Sequence, residues 1–288
     1  MTPRQTVLCG LIGHGIQASL TPAMHEREGD EQGLRSQYKL IDLQVLGLGV
    51  EALPELLQAA GRMGFTGLNI THPCKQAVIP LLDELSPDAA ALGAVNTVLL
   101  RDGRRIGHNT DWSGYAEAFR RNMDGVALDR VVQLGAGGAG VAVAHALLTM
   151  GVGQLTIQDM DPARAQALAA SLSERFGARR AVACADLPAA MAAANGLVHC
   201  TPTGMAAHPG LPLPAELLRP ALWVSEIVYF PLETELLRTA RALGCRTLSG
   251  GGMAVFQAVQ AFRLFTWREP DPERMLRHFA EMVGGRTG

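Results

Sequence analysis

Val131-Val132-Gln133-Leu134-Gly135-Ala136-Gly137-Gly138-Ala139-Gly140 runs from a short apolar segment into three spaced glycines, and an Ala-, Val- and Leu-rich stretch continues to Met150. The order is strand, tight turn, helix. Gly135, Gly137 and Gly140 spell G-x-G-x-x-G, a turn in which backbone N–H groups and a helix N-terminus face a pyrophosphate. With 32 glycines in the chain the spacing alone is weak. The context strengthens it: a strand before, a helix after, and an acidic residue 19 positions beyond Gly140. That residue is Asp159, at the end of the next apolar strand, Gln154–Gln158. There a carboxylate accepts hydrogen bonds from an adenosine ribose and repels a 2′-phosphate, so the segment reads as a site for NAD, with NADP weaker. Gly135, Ala136, Gly137, Gly138 and Ala139 form the expected phosphate loop. Arg164, five residues after Asp159, is either a phosphate contact that offsets the repulsion or a surface charge.

Outward from this loop the same rhythm recurs. Strand-like Ala181–Cys184, Leu197–Cys200 and Trp223–Val228 alternate with helical Pro162–Phe176 and Pro188–Ala194. Towards the N-terminus, Val7–Ile12, Gln37–Ile41 and Gly67–Ile70 read as strands, with helices over Thr21–Gly29 and Val50–Met63. Leu92–Leu100 and Arg105–His108 flank Asp102-Gly103 and read as a hairpin. Alternation of this kind predicts an α/β fold. We expect two domains: an N-terminal α/β substrate domain with a mixed, mostly parallel sheet, and a Rossmann-like NAD-binding domain over residues 112–251. Two final helices, Gly252–Phe265 and Pro272–Val283, have no strand after them and are expected to return to the first domain, which becomes residues 1–111 plus 252–288.

Composition narrows the function. The 288 residues are 48% hydrophobic and 18% charged, enough apolar content for sizeable cores. The charge balance of 25 − 27 = −2 gives no basic excess for nucleic acid. No apolar run reaches the roughly 20 residues of a membrane span, and no signal peptide is seen, so we expect a cytoplasmic protein without membrane or nucleic-acid partners. A monomer and a homodimer both stay open. The five cysteines, at 9, 74, 184, 200 and 245, form no C-x-x-C pair, and no H-E-x-x-H occurs, so no metal site is expected. Hydride transfer to a nicotinamide needs a proton handler. Tyr-x-x-x-Lys is absent: the tyrosines at 38, 115 and 229 are followed four positions later by Asp42, Phe119 and Glu233.

Three polar clusters stand at strand ends: Asn69-Ile70-Thr71-His72-Pro73-Cys74-Lys75, Gly93-Ala94-Val95-Asn96-Thr97 and Gly107-His108-Asn109-Thr110-Asp111. With them the chain resembles the shikimate/quinate dehydrogenase family. Its N-[VI]-T-x-P-x-K, G-A-V-N-T and G-x-N-T-D-x-x-G motifs are present, the last ending at Gly114. Ser19-Leu20-Thr21-Pro22, Thr201-Pro202-Thr203-Gly204-Met205, Val228-Tyr229-Phe230-Pro231 and Gly252-Met253 to Gln257 match further signatures in order.

The resemblance implies that Lys75 and Asp111 are the catalytic pair. It implies as substrate a polyhydroxylated cyclohexane or cyclohexene carboxylate, oxidised at its C3 hydroxyl. We assign Lys75 as base and Asp111 as the partner that orients it; which accepts the proton first is open. Ser19 and Thr21, with Tyr229, are expected at the substrate carboxylate, and Thr71, Asn96 and Gln257 at ring hydroxyls. Thr21 has a second reading, as a helix N-cap before Pro22. Thr201, Thr203, Met205, Val228, Gly252 and Met253 are expected to line the cofactor; Cys74 and His72 are read as packing residues.

NADP-using members typically carry Asn-Arg-[Ser/Thr] where this chain has Gln158-Asp159-Met160-Asp161, and Thr21 replaces a second serine. Both departures resemble the NAD-preferring quinate/shikimate branch. They move the expectation from the biosynthetic shikimate-pathway enzyme towards a quinate-catabolic or dual-substrate one. An aminoshikimate-type dehydrogenase and a non-catalytic NAD-binding regulator are the alternatives. A methylenetetrahydrofolate-type dehydrogenase is disfavoured because position 71 is Thr.

Overall fold

A computed structural model describes residues 5–285. The chain forms two units. One runs to Thr110 and resumes at Val255; the other is Asp111–Ala254. The cuts fall at 110/111 and 254/255, against 111/112 and 251/252 in the sequence reading.

The first unit contains β1 (Thr6–Gly13), α1 (Thr21–Glu31), β2 (Arg35–Asp42), α2 (Leu43–Leu46), α3 (Leu53–Arg62), β3 (Gly67–Ile70), α4 (Cys74–Ala77), β4 (Glu84–Leu85), α5 (Pro87–Leu92), β5 (Thr97–Arg101) and β6 (Arg104–His108). Its sheet has the order β2-β1-β3-β5-β6-β4. β1 pairs in parallel with β2 and β3, and β4 with β6, while β5 is antiparallel to both neighbours. The period-2 alternation of β1 builds two cores. Val7, Cys9 and Leu11 pack with Phe262 and Phe265; Leu8 and Ile12 pack with Leu53, Leu57 and Ile70 on the other face. Gly67 is needed here: a Cβ on it would stand 2.3 Å from the Phe265 ring.

The second unit contains α6 (Asp111–Asn122), β7 (Arg130–Leu134), α7 (Gly138–Thr149), β8 (Gln154–Gln158), α8 (Pro162–Phe176), β9 (Ala181–Ala183), α9 (Leu187–Ala193), β10 (Gly196–His199), β11 (Trp223–Glu226), α10 (Glu235–Ala242) and β12 (Arg246–Leu248). α11 (Gly251–Thr266) crosses the division, and α12 (Pro272–Gly284) follows. The sheet order is β12-β11-β10-β7-β8-β9, with every strand pair parallel. The chain starts at the middle strand and winds outward twice, the doubly wound order of dinucleotide-binding sheets. Val131 faces the core shared with α7 and α8, and Val132 the core shared with α10.

One sequence expectation needs correction. Leu92–Leu100 is not a single strand: α5 ends at Leu92, Gly93 caps it in the left-handed region at φ 59°, and β5 begins only at Thr97. Ser86 Oγ accepts from Ala89 N at 3.2 Å and Pro87 opens the helix, so local capping overrides the apolar run. Among the described residues, no helix is long and apolar enough to cross a membrane.

Candidate active site

In the first unit, register gathers the polar clusters at one end of the sheet. Gly13 lies opposite Asp42, Ile12 opposite Ile70, Asn69 opposite Thr97, and Thr97 opposite His108. The residues just beyond these pairs are therefore neighbours: the Gly13–Thr21 loop, Thr71, Asn96 and Asn109-Thr110. Gly13 allows the approach, since a Cβ there would lie 2.3 Å from Thr71 Cγ2. Thr71 N donates to Ile12 O at 2.9 Å, and Val95 N to Lys75 O at 2.9 Å. Lys75, on α4, is half-buried; its neighbour Cys74 is fully buried, whereas His72 is exposed and so is not a packing residue.

Asn96 is 3% exposed and tightly engaged. Its Oδ1 accepts from Thr110 N at 2.7 Å and from Thr97 Oγ1 at 3.0 Å, and its Nδ2 donates to Thr110 Oγ1 at 2.9 Å. Asn109 Nδ2 donates to Ala94 O at 2.9 Å. These bonds tie the second polar cluster to the third. Ser19 and Thr21 sit together at the start of α1, with Thr21 N donating to Ser19 Oγ at 3.3 Å. The helix N-cap is Leu20, so Thr21 is not a cap, and its hydroxyl is available for another role.

The loop before Ser19 hangs on a residue the sequence did not single out. Asp42 accepts from Gly15 N, Ile16 N and Gln17 Nε2, each at 2.9 Å, and from Gln44 N at 3.1 Å. Desolvation raises its carboxyl, but the bonds from Gln17 and these amides outweigh that and hold it below its ordinary value.

In the second unit, the carboxyl ends of β7, β8, β10 and β11 align: Leu134 lies opposite Gln158 and His199, and His199 opposite Glu226. Gly135, Asp159 and Thr201 follow those ends. Gly135 has φ 101°, and a Cβ on it would stand 2.8 Å from Cys200 O; one on Gly140 would stand 2.3 Å from Gly135 O. Both positions need glycine. Gly137 is different: a Cβ there meets no atom within 4 Å, and no side chain caps the α7 N-terminus behind it. The loop is thus closed on the protein side and open outward, as a bound pyrophosphate requires. Ala136 N donates to Asp159 Oδ2 at 2.7 Å, and Asp161 N to Oδ1 at 2.9 Å. The residues present fit a dinucleotide.

The sequence profile described as the shikimate dehydrogenase substrate binding domain matches residues 11–98. A Streptomyces avermitilis protein named shikimate dehydrogenase (NADP(+)) is 63% identical over 98% of this chain and 97% of its own length. The chain belongs to the shikimate/quinate dehydrogenase family. A Corynebacterium efficiens member, named quinate/shikimate dehydrogenase (NAD(+)), is 53% identical over 96% of this chain and 99% of its own. The solved quinate dehydrogenase of Corynebacterium glutamicum in complex with NAD superposes with a TM-score of 0.91 at 49% identity, covering 96% of this chain and 100% of that one.

Within the family frame the remaining expected residues divide. Asp111, Asn96 and Val228 are buried, Thr71, Thr201, Thr203 and Gln257 half-buried, and Tyr229, Met205 and Arg164 exposed. Gly252 and Met253 have packing duties: a Cβ on Gly252 would lie 2.8 Å from Ala118 Cβ, and Met253 belongs to the core of the second unit. Arg164 pairs with Asp161 at 3.5 Å. Two groups bearing on the dinucleotide loop went unread. Gln133 Nε2 donates to Gly135 O at 2.8 Å and to Gly140 O at 2.9 Å, clasping both ends of the glycine loop. Glu226 and His199 are fully buried; His199 Nδ1 donates to Glu226 Oε1 at 2.8 Å, Thr234 Oγ1 donates to Glu226 Oε2, and His199 Nε2 meets Thr201 Oγ1. The only available signal was a polar residue inside each apolar strand.

Proposed function

We propose that this dehydrogenase reversibly oxidises the C3 hydroxyl of shikimate, quinate or both, with NAD preferred to NADP. The observation that carries the cofactor choice is Asp159, whose carboxylate is held against the glycine loop by Ala136 N–H at 2.7 Å. A carboxylate fixed there accepts bonds from ribose hydroxyls and repels a 2′-phosphate. The Streptomyces relative's name specifies NADP(+) and the Corynebacterium one NAD(+), so this chain's own carboxylate is the deciding feature.

Gly135 to Ala139 hold the pyrophosphate of the dinucleotide, and Thr201, Thr203, Met205 and Val228 line its remainder. A bound nicotinamide supplies the acceptor for the hydride that leaves the alcohol carbon. Lys75 takes the hydroxyl proton. Asp111 is its acid–base partner in the transfer. Ser19, Thr21 and Tyr229 hold the ring carboxylate; Thr71, Asn96 and Gln257 read ring hydroxyls.

The test is a steady-state panel of shikimate, quinate and 3-dehydroshikimate against both cofactors. Turnover with shikimate or quinate and a higher kcat/KM with NAD are expected. No turnover with either ring acid sinks the activity, and a higher kcat/KM with NADP sinks the cofactor assignment.

A further inference from the structure

A chain of buried polar side chains runs through the first unit to Asn96, and its far end lies outside every motif discussed above. Tyr38, on β2, is 8% exposed, and its ring packs on His25 at 4.9 Å between centroids. Its backbone N–H is fixed by Glu26 Oε1 at 2.8 Å. The phenol oxygen donates to Asn69 Oδ1 at 2.7 Å. Asn69 Nδ2 in turn donates to Thr97 Oγ1 at 3.0 Å and to Asn96 O at 3.3 Å. Thr97 Oγ1 donates to Asn96 Oδ1 at 3.0 Å, and Asn96 Nδ2 donates to Thr110 Oγ1 at 2.9 Å.

The donor directions agree throughout. Tyr38 gives a proton to the Asn69 carbonyl, which turns the Asn69 amide nitrogen towards Thr97. Receiving that N–H, the Thr97 hydroxyl must send its own proton to Asn96. Together with Thr110 N–H on the same oxygen at 2.7 Å, this holds Asn96 with Oδ1 as acceptor and Nδ2 towards Thr110 Oγ1. In a buried network each member's orientation depends on the next, because an unpaired group there has no water to turn to.

We propose that Tyr38 is a positioning residue for substrate recognition: through Asn69 and Thr97 its hydroxyl sets the orientation in which Asn96 meets a ring hydroxyl. This rests on the dehydrogenase reading above. Tyr38 touches no substrate itself.

The test is Tyr38→Phe, which keeps the ring and removes one oxygen, measured for thermal stability and for the KM of each substrate. We expect KM for the ring acid to rise about tenfold, the size of one lost buried hydrogen bond, with KM for NAD within about twofold. In an Asn96→Ala background, Tyr38→Phe should add little further, because the two act through one contact. A variant with lowered melting temperature but unchanged KM for the ring acid, or effects that add fully with Asn96→Ala, overturns the proposal. Failure of the dehydrogenase reading looks different: the wild type itself then turns over neither ring acid. In that event the side-chain amide signals of Asn96 in an NMR spectrum decide. A shift and faster proton exchange in Tyr38→Phe keep the relay, and unchanged signals discard it.

Discussion

The backbone N–H of Ala136 donates to Asp159 Oδ2 at 2.7 Å, so the glycine loop itself fixes the carboxylate to which we assign the cofactor choice. Asp161 N–H secures the other oxygen at 2.9 Å, which leaves each oxygen further acceptor capacity for ribose hydroxyls. Asp159→Ser is expected to lower kcat/KM with NAD by about 10- to 150-fold, the range for a lost charged hydrogen bond, while NADP gains from the relieved repulsion. Arg164 and Asp161 form an exposed pair, 67% and 53% accessible, which holds Arg164 only weakly. Adding Asp161→Ser should therefore favour NADP further. An unchanged NAD-to-NADP ratio in Asp159→Ser removes this residue from the argument.

Lys75→Ala and Asp111→Ala are each expected to cut kcat by about 10²-fold or more, the lower range for losing a positioned acid–base group. Lys75→Ala should leave NAD affinity unchanged, because Lys75 and the glycine loop belong to different units. Isothermal titration with NAD beside single-turnover rates separates the two effects. Near-normal turnover in Lys75→Ala rules it out as the base.

Glu28 is fully buried in α1, where it accepts from Arg274 Nε at 2.9 Å and Nη2 at 2.6 Å, from Asp271 N at 3.0 Å and from Gln32 Nε2 at 2.8 Å. The pair fastens α12 to α1. Arg274→Met strands a buried carboxylate and should cost about 3–5 kcal/mol of stability, read from urea denaturation. A loss below about 1 kcal/mol would place the pair among ordinary surface ion pairs.

Burial pushes the His25 imidazole down to about 3 from its ordinary 6.5. Between those values the unfolded chain binds a proton that the folded chain does not. Stability should therefore fall as pH drops below 6.5, by up to about 1.4 kcal/mol per pH unit; above 6.5 this residue contributes no pH dependence. His25→Leu should flatten that limb in denaturation curves taken at successive pH values. Part of the slope remains, because burial also lowers His108 and His278. An identical acid slope in His25→Leu contradicts this account.

What the sequence disclosed, and what it hid, follows from how local each signal is. The glycine loop and Asp159 were readable because turn, helix start and carboxylate stand in one βαβ segment with fixed spacing. The strand-end clusters were readable because their motifs are contiguous. Asp42 was not, because it supports the Gly15–Gln17 loop from about 26 positions away, and only the β1–β2 register joins them. Tyr38 gave no sign either: an aromatic in a strand reads as core, and its ring is core while its oxygen is not. The misplaced start of β5 had a legible cue, the Ser86-Pro87 helix opening, which the apolar run over Leu92–Leu100 obscured.

The interrupted path of the first unit orders events during synthesis. Residues 111–254 leave the ribosome as one uninterrupted segment and can close their own sheet at once. The strand face carrying Val7, Cys9 and Leu11 must wait for Phe262 and Phe265. For that interval the nascent chain carries a finished nucleotide-type unit beside a half-covered one. A message cut before codon 255 would yield a polypeptide whose Val7, Cys9 and Leu11 face lacks Phe262 and Phe265, a substrate for chaperones and proteases.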